Sequence, residues 1–262
     1  MNSISANLNI MIKASEKASR ALIRDFGEVE KLQVSVKGPS DFVSNADTKA
    51  EKIIINELSK TKKNYSIISE EGGQKNNQDS ENVWIIDPID GTTNFIHGIP
   101  HVAIVIAKMV NNEITDGIVY NPILNEFYWS SLGRGSWCNN KRLRVSKRHE
   151  LTNCVIGTGI PFGNRVYQKF YSELDNISKK TAGVRRLGSA ALDLAYVSSG
   201  KIDGFWERDL NLWDICSGVL LVKEAGGKIS EPDGNKWTTK SRDIIVSNTL
   251  IHNKLIENLT LL

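Results

Sequence analysis

The sequence predicts an α+β fold, and three observations support this assignment. Apolar side chains recur at helical spacing over residues 8–26, three strand-like runs follow one another between residues 101 and 131, and strand-like and helical segments alternate after residue 150. At 262 residues the chain is long enough for one large domain or two tightly packed halves. We expect a single domain, with an N-terminal α+β half at about residues 1–150 and a C-terminal α/β half at about residues 151–262.

The composition is that of an ordinary globular protein, with 40% hydrophobic and 24% charged residues. A formal net charge of +3 is too small to imply nucleic-acid binding by itself. The cysteines Cys138, Cys154 and Cys216 form neither a CxxC pair nor an even set, so we expect free thiols and a reducing, cytoplasmic compartment. The longest apolar run near the N-terminus is residues 10–12, which predicts neither a signal peptide nor a membrane span.

Two helices are predicted before residue 60. The first is amphipathic over residues 8–26 and is stopped by Gly27. After a break at residues 38–40, Asn45 is a suitable N-cap for the second helix, and Asp47 lies in its first turn, where the helix dipole stabilises an acid. The predicted buried face of the second helix consists of Ala50, Ile53, Ile54 and Leu58.

Strands are predicted next. Residues 65–69 and 83–86 are short apolar runs typical of buried strands, and the polar residues 74–82 between them predict a surface loop. The basic residues 141–149 predict a solvated edge strand, with contact to RNA or an acidic partner as the lesser alternative. Three runs joined by short Asn-containing turns predict an antiparallel meander at residues 101–110, 113–120 and 126–131.

The second half is predicted to be helix-rich and built around a mixed sheet. The glycine-rich residues 157–163 have the wrong spacing for a nucleotide loop, and the chain has no Walker motif, His-Glu-x-x-His motif or Cys-rich zinc pattern. Strands are expected at residues 155–158, 184–186, 204–207 and 228–230, and helices at residues 166–179, 190–198 and 214–224.

An acidic turn follows the strand predicted at residues 83–86. Asp87 and Asp90 are three residues apart, at the point where Pro88 and Gly91 end the apolar run. An isolated segment of this kind is usually a turn whose Asp side chains cap local N–H groups. Carboxylates grouped with backbone carbonyls also suit a hard cation such as Mg²⁺, and a helix start after glycine suits a phosphate.

Two other acidic sites favour the cation and phosphate interpretation. Glu70 and Glu71 follow the strand at residues 65–69, and Asp214 opens an apolar stretch at residues 215–225. Three such sites are difficult to explain as independent turns. In a site with two metal ions about 4 Å apart, one carboxylate must bridge the ions, and Asp87 at its strand end is best placed to do so.

These stretches resemble a known family. Residues 84–97 and 213–227 are similar to the paired signatures of the inositol monophosphatase family, the magnesium-dependent, lithium-sensitive phosphatases. The resemblance extends through residues 41–47 and 188–191, so it covers nearly the whole chain. It implies a layered α/β/α/β/α sugar-phosphatase fold with the active site between the two halves, and a homodimer.

The resemblance also implies a site for two to three Mg²⁺ ions. Asp87 would bridge two ions, Glu70 would also contact a third, weaker ion, and Glu71 would orient water in an outer shell. The implied metal ligands are the carboxylates of Glu70, Asp87, Asp90 and Asp214 and the carbonyl of Ile89.

Catalytic and phosphate-binding residues follow from the same resemblance. Thr92 and Asp47 match the pair that activates the attacking water, with the hydroxyl passing a proton toward the carboxylate, and Glu70 also belongs to the implied catalytic set. The N–H groups of Gly91 and Thr92, at a helix start, would hold the phosphate.

The resemblance also implies which residues bind the alcohol part of the substrate. Glu207 matches the glutamate that binds the polyol, and Ser189, Ala190 and Asp90 match residues around the same pocket. A carboxylate can accept hydrogen bonds from two vicinal hydroxyls. Arg208-Asp209 places a charge pair after Glu207; Arg208 is expected on the surface, or else turned inward to pair with Glu207 and change which alcohol fits.

The sequence thus predicts a Mg²⁺-dependent phosphomonoesterase that hydrolyses a small polyol phosphate, with myo-inositol 1-phosphate as the leading candidate. Family members that act on histidinol phosphate, fructose 1,6-bisphosphate or 3′-phosphoadenosine nucleotides share the metal site, so the acids cannot separate these substrates. An alternative of another class is an RNA-associated regulatory protein, in contact with a transcription complex, that uses the basic segment at residues 141–148.

Overall fold

The structure, a computed structural model of the chain, describes residues 5–26, 34–38, 41–160 and 167–260, without the side chains of residues 34–38, 41–44, 167, 168 and 260. Its helices are α1 (Ala6–Asp25), α2 (Asn45–Ser59), α3 (Thr92–Ile96), α4 (Tyr167–Ser178), α5 (Ala190–Ser198), α6 (Leu212–Glu224) and α7 (His252–Thr260). Its strands are β1 (Val34–Gly38), β2 (Asp41–Ser44), β3 (Tyr65–Ser69), β4 (Gly73–Lys75), β5 (Asp79–Asp90), β6 (Ala103–Val110), β7 (Glu113–Asn121), β8 (Glu126–Ser131), β9 (Ser136–Cys138), β10 (Lys141–Arg142), β11 (Val155–Thr158), β12 (Gly183–Arg185), β13 (Gly204–Glu207), β14 (Gly227–Ser230) and β15 (Ile244–Asn248).

Helices α1 and α2 confirm the two predicted N-terminal helices. Ser5 caps α1, because its hydroxyl accepts a hydrogen bond from the N–H of Leu8 at 3.0 Å. The apolar stripes of both helices are buried together against Trp84 and Ile106 of the large sheet. Between the helices, β1 and β2 form an antiparallel hairpin that the sequence did not predict. The predicted stop at Gly27 lies outside the described residues, as does most of the break at 38–40.

The larger sheet has eight strands in the order β10-β9-β8-β7-β6-β5-β3-β4. Strands β6, β7 and β8 pair antiparallel, which confirms the predicted meander. The first of its turns uses Asn111 and Asn112 with φ values of 48° and 63°, a left-handed conformation that Asn adopts more readily than most residues. Strand β3 is parallel to β5, so the carboxyl ends of both strands lie at the same edge of the sheet.

Two sequence predictions in this sheet were wrong. Residues 74–82 are not a surface loop throughout, because β4 hairpins back onto β3 and β5 already starts at residue 79. Pro88 does not end β5; the strand passes it with a shift of register between Asp87 and Asp90. Proline lacks the N–H that a regular ladder needs, and a bulge accommodates it.

The smaller sheet has five strands in the order β12-β11-β13-β15-β14. Strand β11 is parallel to β12 and β13, whereas β15 is antiparallel to β13 and β14, so the predicted mixed sheet is confirmed. The predicted strands and helices of this half are present, but β15 and α7 were not predicted. The predicted edge strand at residues 141–149 is confirmed only at Lys141–Arg142, and residues 143–149 are not in a strand.

The elements stack in the expected α/β/α/β/α order. Helices α1 and α2 cover one face of the larger sheet, and α5 and α6 pack between its other face and the smaller sheet. Helices α4 and α7 cover the outer face of the smaller sheet. Side chains of a strand alternate between its two faces, so Ile104 and Ile106 face α1 and α2 while Val105 and Ala107 face α5 and α6.

The three cysteines are free thiols, as predicted. Among the described helices, none combines the length and the apolar character that a membrane crossing requires.

Candidate active site

A cavity of about 290 Å³ opens where the two halves meet. The end of β5, the start of α3, the start of α5, the end of β13 and the start of α6 all reach it. Most of the site residues predicted from the sequence line this cavity: Glu70, Asp90, Gly91, Thr92, Ser189, Ala190, Glu207 and Asp214. The remaining predicted residues, Asp47, Glu71, Asp87 and Ile89, do not line it.

Asp87 and Ile89 are buried at the bulge of β5, with 2% and 1% of their surface exposed. The Asp87 Oδ1 atom accepts a hydrogen bond from the N–H of Ile89 at 3.0 Å, as in the local capping that the sequence left open. The hydroxyl of Thr92 donates to the Ile89 carbonyl at 3.0 Å. The bulge therefore holds Asp87, the Ile89 carbonyl and Thr92 together.

Asp90 connects the two halves of the chain. Its Oδ2 atom accepts hydrogen bonds from the Ser189 hydroxyl at 2.6 Å and from the N–H of Ala191 at 2.7 Å. Both donors stand at the start of α5. Asp214 is held in a similar way, because its Oδ2 atom accepts the N–H of Asn211 at 2.7 Å in the capping box of α6. Each of these acids is thus oriented by a helix start.

The acids around β5 interact electrostatically. Burial raises the pKa of Asp87 well above its ordinary value, and the nearby charges of Glu70, Asp90 and Asp214 raise it further. Burial is also the main reason that the pKa of Asp214 is raised and that the pKa of Asp90 reaches about 6. Several acids that raise one another's pKa in a buried place would be stabilised by a bound cation.

The donor set around this cavity is entirely oxygen, which fits Mg²⁺. In the part of the chain that the structure describes, no three His, Cys, Asp or Glu side chains are arranged so that they could hold a metal ion. The hydrogen bonds described above engage only one oxygen of Asp87, Asp90 and Asp214. The chemistry of these residues fits the ion, and their side chains would have to converge further to bind it.

Helix α2 contributes two buried acids, of which the sequence analysis identified only Asp47. Asp47 has 1% of its surface exposed and adds to the raised pKa of Asp87. Glu51, one helical turn later, accepts the N–H of Glu71 at 3.0 Å through Oε2 and thereby holds the turn that carries Glu70. The four-residue spacing from Asp47 was the available signal for Glu51, because it places both acids on one helix face.

Glu207 stands at the end of β13, over Gly159 of the neighbouring β11 end. A side chain at Gly159 would overlap the Glu207 carboxylate, so glycine makes room for it. Burial raises the pKa of Glu207 to about 8; the Asp90 charge raises it further and the Arg186 charge lowers it. Arg186 and Asp193 also line the cavity, and neither was predicted from the sequence.

Both expectations for the Arg208 side chain were wrong. Arg208 is neither on the surface nor paired with Glu207; it is 8% exposed, and its guanidinium binds Glu173 of α4 and Asp243. Its Nε donates to Glu173 Oε1 at 3.0 Å and its Nη1 to Asp243 Oδ2 at 2.7 Å. Arg208 and Glu207 both line the cavity, but the guanidinium of Arg208 is turned to Glu173 of α4 and to Asp243.

Comparison with known proteins agrees with this arrangement. A family model described as the inositol monophosphatase family matches residues 4–261. Inositol-1-monophosphatase of Mesorhizobium japonicum is 49% identical over 254 residues, which cover 97% of this chain and 96% of that protein. Nus factor SuhB of Escherichia coli is 37% identical over 253 residues, which cover 96% and 95% of the two chains.

The solved structures agree as well. The extragenic suppressor protein suhB from Bartonella henselae superimposes with a TM-score of 0.95 at 46% identity, over 98% of this chain and 99% of that chain. The match extends over both halves and therefore includes every element around the cavity. On the family model, the sequence identity and the shared fold, this chain belongs to the inositol monophosphatase family.

Proposed function

We propose that the protein is a Mg²⁺-dependent phosphomonoesterase that hydrolyses a small polyol phosphate, with myo-inositol 1-phosphate as its preferred substrate. The observation that carries the proposal is the meeting of Glu70, Asp90 and Asp214, from both halves of the chain, around one cavity that also holds the helix start at Gly91. The name of the 49% identical relative, inositol-1-monophosphatase, supports the choice of substrate.

Two to three Mg²⁺ ions are proposed to bind per site. Their ligands would be the carboxylates of Glu70, Asp87, Asp90 and Asp214 and the carbonyl of Ile89, with Glu71 in the outer shell. Bound Mg²⁺ would supply Lewis-acid stabilisation of the charge on the phosphoryl group. Asp87 is buried, which raises its pKa, and the charges of Glu70, Asp90 and Asp214 raise it further, so it is proposed to hold metal together with them.

The chain itself would bind the phosphate and position the water. The N–H groups of Gly91 and Thr92 are proposed to hold phosphate oxygens; α3 has only five residues, so these donors matter more than a helix dipole. Thr92 and Asp47 are proposed to orient the attacking water, with Asp47 accepting its proton. This role requires the Thr92 hydroxyl, which donates to the Ile89 carbonyl, to turn toward that water.

Glu207, Asp90, Ser189 and Ala190 are proposed to bind the hydroxyls of the leaving alcohol. Ser189 already donates to Asp90 at 2.6 Å, so these two residues form one rigid wall of the pocket. Glu207 lines the same cavity. Carboxylates around a polyol accept several hydroxyl hydrogen bonds at once, which favours a substrate with neighbouring hydroxyls.

The test is phosphate release from a panel of myo-inositol 1-phosphate, histidinol phosphate, fructose 1,6-bisphosphate and a 3′-phosphoadenosine nucleotide, each with Mg²⁺. We expect the inositol ester to give the highest kcat/KM; a strong preference for histidinol phosphate would overturn the substrate assignment.

Asp87→Asn should lower kcat more than about 100-fold, because stabilisation by the metal lowers the activation barrier by several kcal/mol. Li⁺ and Ca²⁺ should compete with Mg²⁺, and unchanged turnover at high lithium would contradict the cation site.

A second candidate function is contact with RNA in a transcription complex. Arg144, Lys147, Arg148 and His149 are exposed around a surface cavity of about 620 Å³, and a 37% identical relative is named Nus factor SuhB. Arg148 donates to the buried Asp203 at 2.9 Å and is needed for packing. The informative variant is therefore Arg144→Glu with Lys147→Glu, which should weaken RNA binding without changing phosphate release. Equal RNA binding by the variant and the natural chain would exclude this surface.

A homodimer and a cytoplasmic location are proposed on the basis of family membership. Analytical ultracentrifugation at micromolar concentration tests the first proposal, because a single species of twice the chain mass is expected. A species of one chain mass at every concentration would contradict it.

A further inference from the structure

Asp193 is a buried acid on the wall of the active-site cavity, in the first turn of α5. Only 1% of its surface is exposed. Its Oδ1 atom has no hydrogen-bond partner within the described part of the chain, although a buried carboxyl oxygen normally has one. A buried acid with an unpaired oxygen reduces the stability of the folded protein. Residues that reduce stability are often retained because they serve the function of a site.

A polar neighbour of the Asp193 Oδ1 atom is a histidine. Oδ1 is 3.9 Å from Nε2 of His101, which is also buried without a hydrogen-bond partner in the described residues. That distance is too long for a hydrogen bond. The His101 ring is in turn packed edge-on against Tyr196, with ring centroids 5.4 Å apart. Oδ1, the oxygen without a hydrogen-bond partner in the described part of the chain, therefore lies beside His101, which is not among the residues that line the cavity.

Two glycines at the end of β11 lie beside Asp193 and Glu207, and the second makes space for one of these acids. A Cβ atom at Gly157 would lie 3.7 Å from the Asp193 carboxyl carbon, and one at Gly159 would overlap the Glu207 carboxylate. Asp193 and Glu207 thus both lie beside the three-residue segment 157–159. Burial is the main reason that the pKa of Asp193 is raised, and the Glu207 charge raises it further. The Arg186 charge lowers the pKa of both acids.

We infer that Asp193 is a further specificity-determining residue, which hydrogen-bonds a hydroxyl of the substrate alcohol beside the hydroxyls bound by Glu207. The inference rests on the proposed function. Three observations carry it: Asp193 lines the cavity, it is buried, and its Oδ1 atom has no hydrogen-bond partner among the described residues. A carboxyl of raised pKa can donate as well as accept, so it suits a hydroxyl, which needs both.

The place of His101 follows from the same geometry. It is not among the residues that line the cavity, and burial lowers its pKa to about 4. His101 therefore packs beside Asp193 without a hydrogen bond to it.

The experiment compares Asp193→Ala and Asp193→Asn with the natural chain on two substrates. One is myo-inositol 1-phosphate, and the other is ethyl phosphate, whose alcohol has no second hydroxyl. The readout is selectivity, the ratio of the two kcat/KM values. We expect Asp193→Ala to lower selectivity at least about tenfold, mainly through KM for the inositol ester, and Asp193→Asn to lower it less. Asp116→Asn is the matched control, because Asp116 is a buried acid that does not line the cavity.

Two further measurements keep the inference separate from the proposed function. Free myo-inositol, with Mg²⁺ and inorganic phosphate, should raise the Tm of the natural chain and not that of Asp193→Ala. Both Asp193 variants should unfold at or above the Tm of the natural chain without ligand, because the buried carboxyl is unpaired.

The outcomes are distinct. If the natural chain releases no phosphate from either ester, the proposed function fails, and binding of myo-inositol then decides on Asp193. If the natural chain is active and Asp193→Ala has the same selectivity, or binds myo-inositol equally, the inference about Asp193 is overturned and the proposed function stands. A large fall in Tm would instead assign Asp193 a structural role, which also overturns the inference.

Discussion

The guanidinium of Arg208 is held between two carboxylates, and this contact connects the end of β13 to α4. Glu173 is fully buried, so the pair exists in a place from which water is excluded. Removing one partner of such a pair leaves an uncompensated charge, which is far more costly than losing an exposed ion pair.

We predict that Arg208→Met destabilises the protein by about 3–5 kcal/mol, because Glu173 is left buried without its cation. Urea unfolding followed by circular dichroism measures the change. The double variant Arg208→Met with Glu173→Met should recover most of the loss, since both charges are then gone. The exposed pair Lys179–Asp175 is the control, and Lys179→Met should change nothing measurable. Equal stability of Arg208→Met and the natural chain would contradict the prediction.

His252 gives a second residue-scale prediction, on pH. Its Nδ1 and Nε2 lie 2.8 Å and 2.9 Å from the hydroxyls of Ser247 and Ser230, and burial, with a smaller effect of Lys228, lowers its pKa from 6.5 to about 4. Above pH 6.5 the ring is neutral in both the folded and the unfolded chain, so it does not change the stability with pH. Between pH 6.5 and about 4 the unfolded chain binds the proton more tightly, so stability falls as the pH falls, by at most about 1.4 kcal/mol per pH unit.

The buried acids around Asp87 act in the opposite direction, since their raised pKa values favour the folded protein as the pH falls. The effect of His252 is therefore isolated by comparing two slopes. Thermal unfolding of His252→Gln between pH 7 and pH 4.5 should lose stability less steeply than the natural chain does. Parallel slopes would show that His252 does not titrate differently in the folded protein.

At the scale of elements, most strands and helices could be predicted because their patterns are regular. The amphipathic stripe of α1 and the Asn turns of the meander both identify local structure without reference to the rest of the chain. β15 was missed because all five of its residues, Ile244–Asn248, are buried, so it has no alternation of apolar and polar positions. β4 and the start of β5 were missed because their polar composition predicts a loop, although pairing with β3 overrides it.

The site could be predicted only in part, because a local sequence pattern does not show which distant residues meet. Asp87 and Asp90 are recognisable at the end of a strand, but their spacing does not indicate which distant acid joins them. The sequence marked Asp214 as a further acidic site, and the resemblance assigned it as a metal ligand. Arg186 and Asp193 have no local pattern at all, and they line the cavity because α5 begins beside Asp90.

The ends of β11 and β13 also carry a prediction at this scale. Because a methyl group at Gly159 would overlap only the far end of Glu207, Gly159→Ala should leave the fold intact and displace that carboxylate. Loss of a hydrogen bond to a charged group is equivalent to about 10- to 100-fold in kcat/KM for the polyol ester. Steady-state kinetics on myo-inositol 1-phosphate and ethyl phosphate measure this loss, and kcat/KM for ethyl phosphate should fall less.

Gly157→Ala is the matched comparison, since its Cβ would lie 2.9 Å from Ile202 and 3.1 Å from Phe205 in the core. That variant should lose stability through overpacking, by about 1–3 kcal/mol. If Gly159→Ala instead loses as much stability as Gly157→Ala and keeps its selectivity, Gly159 does not serve to make room for Glu207.

At the scale of the whole molecule, the two sheets share one helical layer. Ser217 of α6 donates to the carbonyl of Ile106 in the larger sheet at 3.0 Å, and the other side of α6 packs against the smaller sheet. The approach is close, because a Cβ at Gly117 would lie 3.0 Å from the Ser217 Cα. Each sheet therefore uses the same helix to complete its core.

We propose on this basis that both halves fold as a single domain, and we predict one cooperative unfolding transition for the whole chain. If α6 is pushed away from the larger sheet, the smaller sheet loses its packing partner too, so neither half should persist alone. Differential scanning calorimetry should give equal calorimetric and van't Hoff enthalpies, for the natural chain and for Gly117→Val, with the variant destabilised by about 1–3 kcal/mol. Two resolved transitions in Gly117→Val would show instead that the halves are independent units that only share a surface, and the active site would then depend on their docking.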